Sequence, residues 1–343
     1  MPITWPMLRT LLRMALSSFI TVMATTWRRL LGRPAHRSWS WLEEVIIGTL
    51  RRELVAAQTA SVTQIRALPP ASLTPRLRRA VSETITTLGK RPCSVFTPRD
   101  WTPGDAECLY LHGGGYVTCS PQTHRLLIAR IAAATGSRCH ALDYRLAPEH
   151  AAPHALDDAD AALDELMGSG IDAKKLWIGG DSAGGGLTIA TLLRRGEGDR
   201  PMPAAAVVFS PWVDLTATGA SVEANAHLDY LQPPVLRRFG AWYAGDRPLD
   251  DPLVSPIRGE LGHMPPTLVI TGGAELFVSE NRELDQRMRD AGVDVTYMEA
   301  DAMVHVYCAV LPFHPETSRA HAAVSDFVKN KIANNNRPKR SKM

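Results

Sequence analysis

The sequence predicts an α/β fold, a mostly parallel sheet with helices on both faces, and two observations carry the prediction. From Glu107 onward, short apolar strand-like runs alternate with segments of helical spacing, the pattern of strands joined by crossover helices. Within that alternation, Leu176-Trp177-Ile178 gives way through Gly179-Gly180-Asp181-Ser182-Ala183-Gly184 to a helical pattern, so a strand turns sharply into a helix with Ser182 at the bend. The chain has 343 residues, 45% of them hydrophobic, enough for one large domain with a cap.

Residues 1–90 read as an N-terminal helical segment outside the sheet. Its first forty-two residues carry six arginines and no acidic side chain. Arg9, Arg13, Ser17, Thr21, Thr25 and Arg29 recur every four residues, while Leu8, Leu12, Ala15, Phe19, Val22 and Met23 share a broad opposite face, which describes an amphipathic helix. The uncharged stretch Met14 to Trp27 is shorter than the about 20 residues that a membrane span needs. Three readings stand for this segment: a helix packed on the body as part of a lid, peripheral contact with a membrane surface, or a targeting peptide rich in Arg, Ser and Thr. The expected location is cytoplasmic, with membrane association if the second reading holds. Trp41 to Gln58 and Thr74 to Leu88 also show helical spacing, the latter with Thr74 as N-cap and Pro75 at the first helical position.

Residues 91–333 read as the catalytic domain. Cys93 to Phe96 is extended, Cys108 to Leu111 a strand, Thr123 to Ala134 a helix, Cys139 to Tyr144 a strand and Ala155 to Met167 a helix. The elbow strand and its helix, Ala183 to Leu193, come next, then strands at Ala206 to Phe209 and Thr267 to Thr271. Glu280 to Ala291 is helical, Val293 to Met298 a strand and Ser318 to Lys331 a closing helix. Between 215 and 254 the alternation lapses into a polar, Pro-containing stretch with Tyr230, Phe239, Trp242 and Tyr243, read as an insertion contributing to a lid. Residues 334–343, with Arg337, Lys339, Arg340 and Lys342, read as a solvated basic tail.

The net charge of +3 is small for this length, and no basic stripe runs through the middle of the chain, which argues against a nucleic-acid partner. Cys93, Cys108, Cys119, Cys139 and Cys308 are odd in number and lack C-x-x-C spacing, so neither a disulfide framework nor a metal site is expected.

The G-x-S-x-G turn strains the backbone at Ser182, and Gly180 and Gly184 keep side chains clear of its hydroxyl. His112-Gly113-Gly114-Gly115 directly follows a strand. Such a loop presents backbone N–H groups to the negative oxygen that forms when a serine attacks an ester carbonyl, together with the N–H of the residue after the nucleophile, Ala183. A serine needs a base, and the base an orienting carboxylate, in the chain order Ser, acid, His. Of the late histidines, His263 precedes a strand, and His314 and His321 lie near or in the terminal helix. His305 follows the strand Val293 to Met298 by a short loop and is the base candidate. The acid should follow Leu268-Val269-Ile270. Glu275 lies in that loop; Glu280, the fallback, begins a helix, where the dipole already explains a carboxylate.

His112-Gly113-Gly114-Gly115, Asp143-Tyr144-Arg145-Leu146-Ala147-Pro148-Glu149-His150, Gly180-Asp181-Ser182-Ala183-Gly184-Gly185 and the late His305 together resemble the hormone-sensitive-lipase-like esterases, the bacterial family IV branch of the α/β-hydrolases. The resemblance implies an eight-stranded hydrolase sheet with a helical cap built from the N-terminal segment and the 215–254 insertion, and hydrolysis of short to medium acyl esters, small molecules, with no metal or cofactor. It further implies Ser182 as nucleophile, His305 as base and then acid, and an oxyanion hole of Gly113, Gly114, Gly115 and Ala183, in which Gly113 shapes the loop and the other three donate. His112 and the Asp143 to His150 stretch would be structural supports. Where the family has Asp-Pro-Leu-x-Asp-Glu, this chain has Glu275-Leu276-Phe277-Val278-Ser279-Glu280, which puts the longer Glu275 in the place of the acid. Acyl transfer or amide hydrolysis would use the same triad, and a binding protein lacking activity would use the same scaffold.

Overall fold

The structure is a computed structural model, and it describes residues 5–335. Four helices come first: α1 (Trp5–Leu30), α2 (Trp41–Ala57), α3 (Val62–Arg66) and α4 (Pro75–Ala80). Then follow β1 (Val81–Leu88), β2 (Arg91–Pro98), β3 (Glu107–Leu111), α5 (Arg125–Thr135), β4 (Arg138–Leu142), α6 (His154–Gly168), β5 (Leu176–Asp181) and α7 (Ala183–Glu197). The second half consists of β6 (Ala205–Phe209), α8 (Ala220–Ala224), α9 (Pro233–Ala244), β7 (Thr267–Gly272), α10 (Val278–Asp290), β8 (Val295–Ala300), α11 (Tyr307–Val310) and α12 (Pro315–Asn335). The eight strands form one sheet in the order β1-β2-β4-β3-β5-β6-β7-β8, antiparallel at β1/β2 and β2/β4 and parallel elsewhere.

The central strands β3, β5, β6 and β7 are buried along their whole length, as expected for strands covered on both faces. Their parallel register brings the C-terminal ends together: Leu111 pairs with Gly180, Asp181 with Phe209, and Phe209 with Ile270. The loops leaving β3, β5 and β7, with that leaving β8 beside them, carry the glycine loop, Ser182, Glu275 and His305.

One expectation fails. Thr74 to Leu88 is not a single helix: α4 stops at Ala80, and Val81–Leu88 is the edge strand β1, paired along its length with β2. The β-branched run Val81, Thr84, Ile85, Thr86 and Thr87 favours extended backbone. Gly89 and Lys90, with φ of 57° and 64°, form the two-residue turn that closes such a hairpin. The sheet therefore begins at residue 81, inside the segment read as helical.

Two segments meet above the strand ends. Arg51 of α2 donates to the carbonyls of Leu228 and Asp229, and Arg238 of α9 donates to those of Ala57, Gln58 and Ala60. These bonds staple the N-terminal helices to the 215–254 insertion above the strand ends. Helix α1 packs on α2, but with its polar face: Arg13 and Ser17 bond Glu53, and Arg28 and Arg29 bond Glu44. The basic tail lies outside the described residues from residue 336 on, Asn334 and Asn335 being the last residues of α12.

Candidate active site

Ser182 sits between β5 and α7 with φ 53° and ψ −121°, a conformation costly for any residue with a Cβ. It persists because the turn is clamped: its N–H donates to the Phe209 carbonyl, and its own carbonyl accepts from Trp212 and Gly186. A Cβ on Gly184 would lie 2.0 Å from the Leu111 carbonyl oxygen, so only glycine lets α7 approach β3 this closely.

His305, in the loop between β8 and α11, reaches back over the elbow until its Nε2 is 2.8 Å from Ser182 Oγ. Its Nδ1 faces Glu275 Oε1 at 3.9 Å and has no hydrogen-bond partner among the described residues. Glu275 is fully buried. One of its oxygens accepts from Ser210 Oγ at 2.5 Å and from the Gly272 N–H at 2.8 Å; the other accepts from Asn281 Nδ2 at 3.1 Å. The carboxylate is thus fixed by β6, β7 and α10 together. Ser210 Oγ also accepts from the Val306 N–H, joining the Glu275 and His305 loops through one hydroxyl. Glu280 turns elsewhere, accepting from Ser279 and packing on Gly219.

The glycine loop lies across the elbow. Asp181 ties the two together, accepting from the Gly113 N–H at 3.2 Å and Tyr110 Oη at 2.8 Å, with His124 Nε2 at 3.3 Å. Burial pushes the Asp181 carboxyl up, but His124 and the bond from Tyr110 outweigh it and hold the group below its ordinary value. The Gly113 N–H is therefore spent on Asp181, as a residue that shapes the loop rather than donating into the pocket would be. The N–H groups of Gly114, Gly115 and Ala183 make no hydrogen bond among the described residues. Gly114 adopts φ 118°, and a Cβ there would meet the Thr118 carbonyl at 2.2 Å. His112 stacks on Tyr144 at 4.4 Å, and Tyr144 Oη donates to the His112 carbonyl. Burial drives the His112 imidazole down to about 3, so it stays neutral as a support. Arg145 forks onto Asp158, which anchors the rest of the Asp143 to His150 stretch.

None of the other late histidines approaches Ser182. His263 packs on Gly196, His314 lies 3.6 Å from Glu43, and His321 is kept neutral by burial beside Arg130.

Asp229 of the insertion is a site residue that sequence reasoning missed. Fully buried, it accepts from the backbone N–H groups of His305 (3.2 Å), Leu276 (2.9 Å) and Tyr230 (2.8 Å). It grips the His305 loop and the Glu275 loop at once. Burial pushes its carboxyl up to about 6, with Glu275 adding to the rise and His305 opposing it. Within Ala226-His227-Leu228-Asp229-Tyr230 no periodicity or motif sets it apart.

Ser182 and His305 open into a pocket of about 450 Å³ that Gly114 and Gly115 also line. Its walls are mostly apolar cap side chains, among them Leu50 and Leu54 of α2 and Leu231, Leu236 and Phe239 of the insertion. Among the described residues no cluster of His, Cys, Asp or Glu could hold a metal ion.

A family described as alpha/beta hydrolase fold matches residues 108–309. The chain belongs to this α/β-hydrolase family. An acetyl-hydrolase of Streptomyces hygroscopicus is 39% identical over 222 residues, 64% of this chain and 74% of that protein. An esterase of Acinetobacter venetianus is 31% identical over 64% of this chain and 73% of its own length. The crystal structure of an esterase from the bacterial hormone-sensitive lipase family, 34% identical, superposes with a TM-score of 0.76 over 86% of this chain and 99% of that one. As a member of this hydrolase family, the chain is a carboxylic ester hydrolase of the bacterial hormone-sensitive-lipase type.

Proposed function

We propose that the enzyme hydrolyses short to medium acyl esters through an acyl-enzyme on Ser182, with His305 as base and then acid and Glu275 as the orienting carboxylate. The observation that carries this reading is the 2.8 Å contact between His305 Nε2 and Ser182 Oγ at the floor of an apolar pocket. His305 takes the hydroxyl proton as Ser182 Oγ bonds to the ester carbonyl carbon, and the carbonyl electron pair moves onto oxygen. The N–H groups of Gly114, Gly115 and Ala183 receive that oxyanion. As the intermediate collapses, the alcohol leaves with the proton held on His305 Nε2. Water then attacks the acyl-enzyme, giving its proton to His305, and the acid departs as the Ser182 hydroxyl is restored. Glu275 stabilises the imidazolium at each stage. The apolar lining suits an acyl chain, and the likeness to the Streptomyces acetyl-hydrolase supports the short end of the range. Among the described residues no helix is long and apolar enough to cross a membrane.

The test is hydrolysis of p-nitrophenyl esters from acetate to palmitate by the wild type and by Ser182→Ala. The expected result is activity on short chains and a loss on the order of a million-fold in the variant. A wild type as inert as Ser182→Ala across the series would refute the assignment.

A further inference from the structure

Helix α1 is inside out. Its 26 residues extend about 39 Å at 1.5 Å per residue, and the face turned to the body is the polar one. Arg13 and Ser17 bond Glu53, Arg28 and Arg29 bond Glu44, and Thr21 and Thr25 are buried. The opposite face carries Leu12, Leu16, Phe19, Met23, Trp27 and Leu30, each more than half exposed. A helix packed on a soluble domain places these faces the other way round, and a continuous ridge of large apolar side chains is more than a monomer ordinarily leaves to water.

Two features say what covers the ridge. The first forty-two residues contain no carboxylate, and at the C-terminal end of α1 the exposed Arg33 and Arg37 form no ion pair among the described residues. Beside them Trp27 is exposed and Trp41, with its Nε1 on Thr26 Oγ1, is partly so. A straight apolar ridge with aromatic side chains at one end and unpaired arginines next to them matches a negatively charged lipid surface. A second copy docked on the same face would appose two acid-free helices, with no carboxylate on either to answer the arginines of the other.

We propose that α1 lies along an anionic lipid surface with this ridge inserted, and that it holds the acyl pocket against that surface. Arg13 and Met14 of the same helix line the pocket, so the pocket wall and the lipid-facing ridge are two sides of one element. The substrate class this favours is acyl esters dissolved in the lipid layer. That last step rests on the ester-hydrolase reading; the docking itself does not.

The experiment is sedimentation of the full chain with phosphatidylcholine vesicles, with and without phosphatidylglycerol, for the wild type and for Phe19→Glu/Met23→Glu, neither residue lining the pocket. The wild type is expected to pellet with the phosphatidylglycerol vesicles and to be released by salt. In the double variant partitioning should fall on the order of a hundredfold, two large apolar contacts being lost, while hydrolysis of p-nitrophenyl acetate in solution is unchanged and reports an intact fold. A wild type that stays in the supernatant, or a variant that binds equally well, overturns the proposal. Equal binding to pure phosphatidylcholine overturns the anionic assignment. If light scattering finds a wild-type dimer that the same substitutions render monomeric, with no vesicle binding, the occupant is a second copy and the proposal is wrong. A chain that binds vesicles yet hydrolyses no soluble ester refutes the enzyme reading and leaves the docking intact.

Discussion

Replacing the carboxylate of Glu275 by a carboxamide tests the weakest-bonded contact of the site. Glu275 Oε1 is 3.9 Å from His305 Nδ1, and both groups are buried. At that distance an effective dielectric near 20 gives an attraction of about 4 kcal/mol between a carboxylate and an imidazolium, which corresponds to roughly a thousandfold in kcat. Glu275→Gln forfeits this, and it does more. The carboxamide oxygen is best placed to keep the bonds from Ser210 and Gly272, which turns the new NH₂ toward Asn281 and His305 Nδ1. A donor at Nδ1 favours the tautomer protonated at Nε2, in which His305 cannot take the Ser182 proton. The combined loss expected is a thousandfold to ten-thousandfold on the order-of-magnitude scale of such changes. Folding should survive, because Asn281 Oδ1 is buried without a partner and can rotate to accept from the new amide. The assay is kcat on p-nitrophenyl acetate across pH, with urea unfolding as control. A drop of less than tenfold with an unchanged pH profile would refute the role of Glu275. In that event Asp229, the other buried carboxylate in contact with the base loop, should account for the activity, and Asp229→Asn should abolish it.

Gly114→Ala should cost on the order of a hundredfold to a thousandfold in kcat, because a Cβ would meet the Thr118 carbonyl at 2.2 Å and the donor N–H must move; unchanged kcat would remove Gly114 from the oxyanion hole. Glu280, buried with one oxygen unpartnered, has its carboxyl raised from 4.5 to about 7 by burial. The folded state therefore holds the proton more tightly, and stability is lost as pH rises through about 7. Glu280→Gln, which keeps the bond from Ser279, should grow more stable relative to wild type between pH 4.5 and 8 by about 3 kcal/mol. Parallel stability profiles in urea would contradict this.

Much of this site is local in the chain. Ser182 and the glycine loop are each written within a handful of consecutive residues, because a strand-to-helix turn and a backbone cradle are local geometries that demand particular residues at adjacent positions. The strand and helix alternation that positions them is equally local, since periods of two and 3.6 residues declare which faces are buried. The edge strand β1 escaped this reading because its outer face is solvated, leaving the β-branched run and the Gly89-Lys90 turn as its signals.

The sequence by itself determined the α/β architecture, the strand-to-helix turn at Ser182, the glycine loop and the loops that carry Glu275 and His305. Only the tertiary structure decided which groups hold Glu275 against His305, that the Gly113 N–H belongs to Asp181, that Asp229 joins the Glu275 and His305 loops, and that α1 turns its polar face inward. The physical reason is common to all four. A repeat along the chain specifies that a face exists, while what that face meets depends on groups tens to hundreds of residues away, brought together by sheet register and by the bonds that seat the cap.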